Sequence, residues 1–110
     1  MGKSMVYNKL VRDRIPQIIN QSGKSFNTIK LENEEYIKEL KNKAFEELNE
    51  YTNSANNQEA AEELADLLEV MHSLAEVHGY KFDQIEEIRQ RKAEVRGGFK
   101  ERIYLIDVEE

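Results

Sequence analysis

The 110-residue chain carries 22 acidic and 16 basic side chains, a net charge of −6, and no cysteine. That balance excludes the uniformly basic surface a generic binder of polymeric nucleic acid needs, and the missing thiols exclude disulfides and thiolate chemistry. Hydrophobic residues at 39% and charged residues at 35% fit one folded, helix-rich domain with a modest core. No apolar run approaches the ~18 residues of a membrane span, and no signal-peptide core opens the chain, so the expected location is cytoplasmic. Met5 offers an alternative start that would make residues 1–4 an added tail.

Val6 to Asp13 reads as extended or irregular. Pro16 suits the first turn of a short helix, which Gly23 ends. Residues 26–31 alternate loosely and are expected to form a short strand. A second helix is expected from about Asn33 to Tyr51, because Ile37, Leu40, Ala44, Leu48 and Tyr51 form a stripe at helical spacing. Glu47 follows Leu40 by seven residues and so lies at the edge of that stripe. The polar run Thr52-Asn53-Ser54-Ala55-Asn56-Asn57 then breaks the helix.

The third helix is expected to start at Asn56 or Asn57 and to stop at Gly79. Leu64, Leu67, Leu68, Met71, Leu74 and Ala75 make a broad apolar side, widened by Ala65, Val70 and Val77. A helix apolar nearly all round is a central one. Asp83, with Glu86 three residues on, is expected to cap a fourth helix that Gly97-Gly98 terminates. Residues 102–108 read as a strand or extended tail, the natural mate for 26–31. The expected fold is thus mainly α: an antiparallel helical bundle with a possible small β element. One hairpin and one flanking helix leave the third helix partly uncovered, so a homodimer or homotetramer is expected.

Two acid clusters flank the turn between the second and third helices. Glu46-Glu47-Leu48-Asn49-Glu50 and Glu63-Leu64-Ala65-Asp66 each place two acids three residues apart, about 300° on a helix, so that they are neighbours on one face. A solvated acidic face is the plain alternative. Against it stand the apolar character of the third helix, where unpaired charge is costly, and the hairpin, which lets the clusters meet. Carboxylates that converge stay ionised only around a cation. Oxygen ligands without Cys or His suit Mg²⁺, with Mn²⁺ as the other choice.

Arg89, Lys92 and Arg96 form a basic row on the fourth helix, and Lys9, Arg12 and Arg14 form a group near the N-terminus. Each is either a solvated face or a clamp for phosphate oxygens. Three further motifs carry little weight. Gly2-Lys3-Ser4 lacks the rest of a P-loop, and Asn20-Gln21-Ser22 matters only in a secreted protein. Glu69-x-x-His72 is half of a di-iron pattern that needs two copies.

Glu46-Glu47-x-x-Glu50, twelve residues, then Glu63-x-x-Asp66 resembles the signature of the all-α nucleoside triphosphate pyrophosphohydrolases, the superfamily of MazG, the all-α dUTPases and phosphoribosyl-ATP pyrophosphohydrolase. The opening Tyr7-Asn8-Lys9-Leu10-Val11-Arg12-Asp13-Arg14-Ile15-Pro16 and the late Arg89-x-x-Lys92-x-x-x-Arg96-Gly97-Gly98-Phe99 resemble a small bacterial and phage subgroup of it. The resemblance implies an oligomeric helical bundle with Mg²⁺ on Glu47, Glu50, Glu63 and Asp66. It implies hydrolysis of a nucleotide to its monophosphate and pyrophosphate. Glu46 or Glu50 is then expected to orient or deprotonate the water. Lys92 and Arg96, with Arg89, Lys9 and Arg12, are expected to stabilise phosphate charge. The alternatives are a phosphoribosyl-ATP pyrophosphohydrolase, or a non-catalytic oligomeric module that binds a nucleotide or docks a protein.

Overall fold

A computed structural model describes residues 4–109 and contains four helices in order: α1 (Ile15–Gln21), α2 (Asn33–Thr52), α3 (Asn57–Val77) and α4 (Phe82–Arg96). Residues 1–3, most of the proposed added tail, lie outside the described residues. The mainly α expectation holds. The β element does not: no strand occurs among the described residues, and segments 26–31 and 102–108 make no ladder with each other. A strand needs a partner within hydrogen-bonding reach, and the two segments find none in one chain.

Local chemistry sets the α2–α3 hairpin. At the end of α2 the Asn53 side-chain amide donates to the Asn49 carbonyl at 2.9 Å, and the Ser54 hydroxyl donates to the Tyr51 carbonyl at 2.7 Å. They reinforce the backbone N–H groups of Asn53 and Ser54, which donate to the same two carbonyls at 3.1 Å and close the helix end. Asn56 is the N-cap of α3, its Oδ1 accepting from the Glu59 N–H at 2.9 Å. Glu59 reaches back and accepts from the Ala55 N–H, also at 2.9 Å. Chain reversal within so few residues forces α2 and α3 to lie antiparallel and side by side. Asn56→Ala is expected to cost about 1 kcal/mol, measured by urea unfolding, because the Glu59 N–H in the first turn of α3 loses its acceptor.

The seam between α2 and α3 is the main packing surface of the chain, and α4 packs on α3 alone. Among the described residues the buried apolar side chains are Leu40 on α2 and Val70 and Ala75 on α3. The chain leaves α3 at His78 and turns at Gly79, whose φ of 80° belongs to the left-handed region that glycine occupies without strain. His72 stacks on Phe82 across this turn, ring centroids 3.8 Å apart and planes 12° apart, which anchors the start of α4.

Two expectations are corrected. The N-cap of α4 is Lys81, whose backbone N–H donates to Gln84 Oε1 at 2.8 Å. Asp83 instead sits in the first turn, where its charge favours the helix N-terminus, and Glu86 pairs with Arg89. Within one chain α3 is also less covered than its composition suggests, since Leu64, Leu68 and Met71 remain exposed.

Candidate metal centre

Glu47 is the one buried charged residue among the described residues, 7% exposed. It stands seven residues beyond the buried Leu40, two helical turns along the same stripe, and so points into the α2–α3 seam. Glu50, one turn further, is exposed, and Glu63 on α3 is half-buried. Carboxylate oxygens of Glu47, Glu50 and Glu63 all lie within 4.8 Å of one another. Glu47 Oε2 and Glu63 Oε2 are buried without a hydrogen-bond partner.

The electrostatics follow from that crowding. Burial, then the charge of Glu50, pushes the Glu47 carboxyl up to about 7. The Glu63 carboxyl is also raised, first because its protonated form hydrogen-bonds to Glu50 and then by burial. Two carboxylic acids held above their ordinary range beside a third is the arrangement a cation relieves. The oxygens suit a hard one. Octahedral Mg²⁺ at about 2.1 Å places neighbouring ligands roughly 3 Å and opposite ligands roughly 4.2 Å apart, both within the 4.8 Å that bounds the three oxygens.

The remaining acids are held differently. Asp66 accepts from Arg12 Nη2 at 2.6 Å, so it stands beside the trio with a partner of its own. It is near enough to add to the upward shift of both Glu47 and Glu63. Glu46 lies between two lysines, 3.8 Å from Lys9 Nζ and 3.5 Å from Lys43 Nζ. The N-terminal segment therefore touches both sides of the hairpin, through Lys9 on α2 and Arg12 on α3. These are exposed or half-exposed pairs, each worth at most ~1 kcal/mol to folding. Their interest is that they carry cations to the acids.

Lys43 was not among the residues singled out from sequence. Its ammonium also stands 3.8 Å from Glu47 Oε1, and its side chain is largely buried. Its spacing of three and four residues from Glu46 and Glu47 was the available signal. The α4 row was expected to be the main clamp, yet Arg89, Lys92 and Arg96 make no ion pair with the acid trio among the described residues. Arg89 is bound instead by Glu86, with Nε 2.9 Å from each carboxylate oxygen. The burial order also reverses expectation. The least solvated acid is on α2, because α3 leaves its N-terminal half open on the side away from the seam. His72, the histidine of the di-iron half-motif, is engaged in stacking on Phe82.

Comparisons with known protein families, curated proteins and solved structures found no match to this chain. Among the described residues no helix is long and apolar enough to cross a membrane.

Proposed function

We propose that the protein is a Mg²⁺-dependent nucleotide pyrophosphohydrolase, with Mn²⁺ as a substitute ion. The observation that carries this reading is the Glu47–Glu50–Glu63 trio, with two buried and unpartnered oxygens, beside Lys9, Arg12 and Lys43. The acid spacing that resembles the all-α pyrophosphohydrolases supports it from the sequence side. Glu47, Glu50 and Glu63 are the residues that would hold the ion, with Asp66 joining them on release from Arg12. Bound there, Mg²⁺ supplies positive charge against phosphate oxygens and Lewis acidity toward water.

The chain's own residues supply the rest. In the net reaction water adds to phosphorus, the bond between the α- and β-phosphates breaks, and pyrophosphate leaves with the electron pair. Glu46, steadied by two lysines, or the exposed Glu50 takes the proton of the water. Lys9, Arg12 and Lys43 face the charge that builds on the leaving group; Lys92 and Arg96 contribute only if the bound nucleotide extends to α4. The α2–α3 seam keeps solvent from one side of Glu47 and so strengthens each of these interactions.

A panel of nucleoside triphosphates and phosphoribosyl-ATP, assayed for pyrophosphate release with and without Mg²⁺, tests the reading. Turnover is expected with Mg²⁺, or with Mn²⁺ in its place, and not in chelator. Glu63→Gln is expected to lower it by about 100-fold, and Asp66→Asn by roughly tenfold, because Asp66 stands outside the trio. Full Mg²⁺-dependent activity in both variants would remove the metal assignment. Thermal stabilisation by a nucleotide without turnover would favour the binding-module alternative.

A further inference from the structure

The chain exposes far more surface than its mass requires. Its accessible area is 10728 Å² and its mass 12.9 kDa, whereas a compact monomer of that mass exposes about 6,300 Å². Its radius of gyration is 18.8 Å, against about 13 Å for a compact chain of this length. Three buried apolar side chains are too few to hold 110 residues together.

The surplus surface is concentrated in two places. One is the hairpin: Leu64, Leu68 and Met71 form an exposed stripe on α3 at spacings of four and three, and Phe45 on α2 is 72% exposed. The other is the segment after α4. Gly97, at φ 82°, ends the helix, and Arg102, at φ 60°, closes a turn by donating its N–H to the Phe99 carbonyl at 3.2 Å. Ile103, Tyr104, Leu105, Ile106 and Val108 then follow, each 70–88% exposed. A solvated tail has low hydrophobicity. This one has apolar residues on both faces of an extended chain, with no proline, and left bare it would be an aggregation site.

We propose that residues 102–108 are an exchange arm, which packs on the exposed α2–α3 apolar face of a second copy of this chain. The occupant is a second copy for two reasons. The surplus of roughly 4,400 Å² per chain far exceeds the ~800 Å² that each partner of a standard interface buries and is of the scale that only obligate homo-oligomers cover. The bare face is also continuous with a core too small to fold alone, so its cover must be present whenever the chain folds, and the chain itself meets that condition. The arm does not serve its own helices, since its apolar side chains stay exposed in a chain 68 Å in its longest dimension. This inference is independent of the nucleotide reading.

The absence of native cysteine makes a clean test. Sedimentation equilibrium of the full chain is expected to show a dimer or larger closed assembly at micromolar concentration. The full-length triple variant Ile103→Ser, Leu105→Ser, Ile106→Ser is expected to weaken assembly at least 100-fold. Separately, Ile106→Cys labelled with a photoreactive maleimide is expected to give interchain adducts that map by mass spectrometry to α2 and α3 peptides. A folded wild-type monomer, an unchanged assembly in the triple variant, or adducts confined to the arm's own chain would each overturn the proposal. If the triple variant aggregates, the labelling experiment on the assembled single variant decides.

Discussion

Replacing Glu47 by Gln is expected to lower Mg²⁺-dependent pyrophosphate release by about 100-fold or more while making the metal-free protein more stable at pH 8. The two effects have one cause. Glu47 carries the most buried charge among the described residues, its pKa is raised to about 7, and one of its oxygens has no partner. Above neutrality the carboxylate is ionised, and folding bears the cost of burying it beside Glu50 and Glu63. The shift from 4.5 to about 7 corresponds to about 3 kcal/mol at most. Gln keeps the volume, removes the charge and offers an amide donor to the neighbouring carboxylates. A rise in melting temperature of several degrees is expected in chelator, together with loss of the stabilisation that Mg²⁺ gives the wild type. A variant that keeps full activity, or one less stable than the wild type in chelator at pH 8, would contradict this account of the site.

In chelator, the wild type is expected to lose stability relative to Glu47→Gln as pH rises from about 4.5 to about 7. The sign follows from the direction of the shift. Between those values the folded state keeps the Glu47 proton and the unfolded state has released it, so raising pH favours unfolding. The upward shift of Glu63 acts in the same sense. Ordinary paired carboxylates act in the opposite sense, which is why the comparison is made against the variant. Mg²⁺ is expected to cancel the trend. Its ligands must be deprotonated, so its stabilising effect should be larger at pH 8 than at pH 6 and should be accompanied by proton release. Urea unfolding of both proteins from pH 5 to pH 8, with Mg²⁺ and with chelator, measures this. Parallel pH curves in chelator would show that Glu47 titrates normally and that the trio is a solvated acidic face.

The helices and the hairpin were determined by the sequence itself, because the forces that make them act over a few residues. The stripe from Ile37 to Tyr51, the asparagine cap before α3 and the glycine after it are local signals, and the structure has the elements they imply. The meeting of the two acid clusters was equally legible, since a short polar turn between long helices leaves one geometry. Tertiary structure decided the rest. Which acid is buried depends on which helix covers it, and that made Glu47 on α2 the deepest rather than Glu63 or Asp66. Which cations serve the acids depends on how distant segments cross, and the N-terminal Lys9 and Arg12, with Lys43, reach them where the α4 row does not. The loose alternation in 26–31 spoke for a strand, and 102–108 for a strand or an extended tail, yet strand pairing is a long-range contact that the described residues of one chain do not make. Periodicity shows which side of an element is apolar; only packing shows what lies against it.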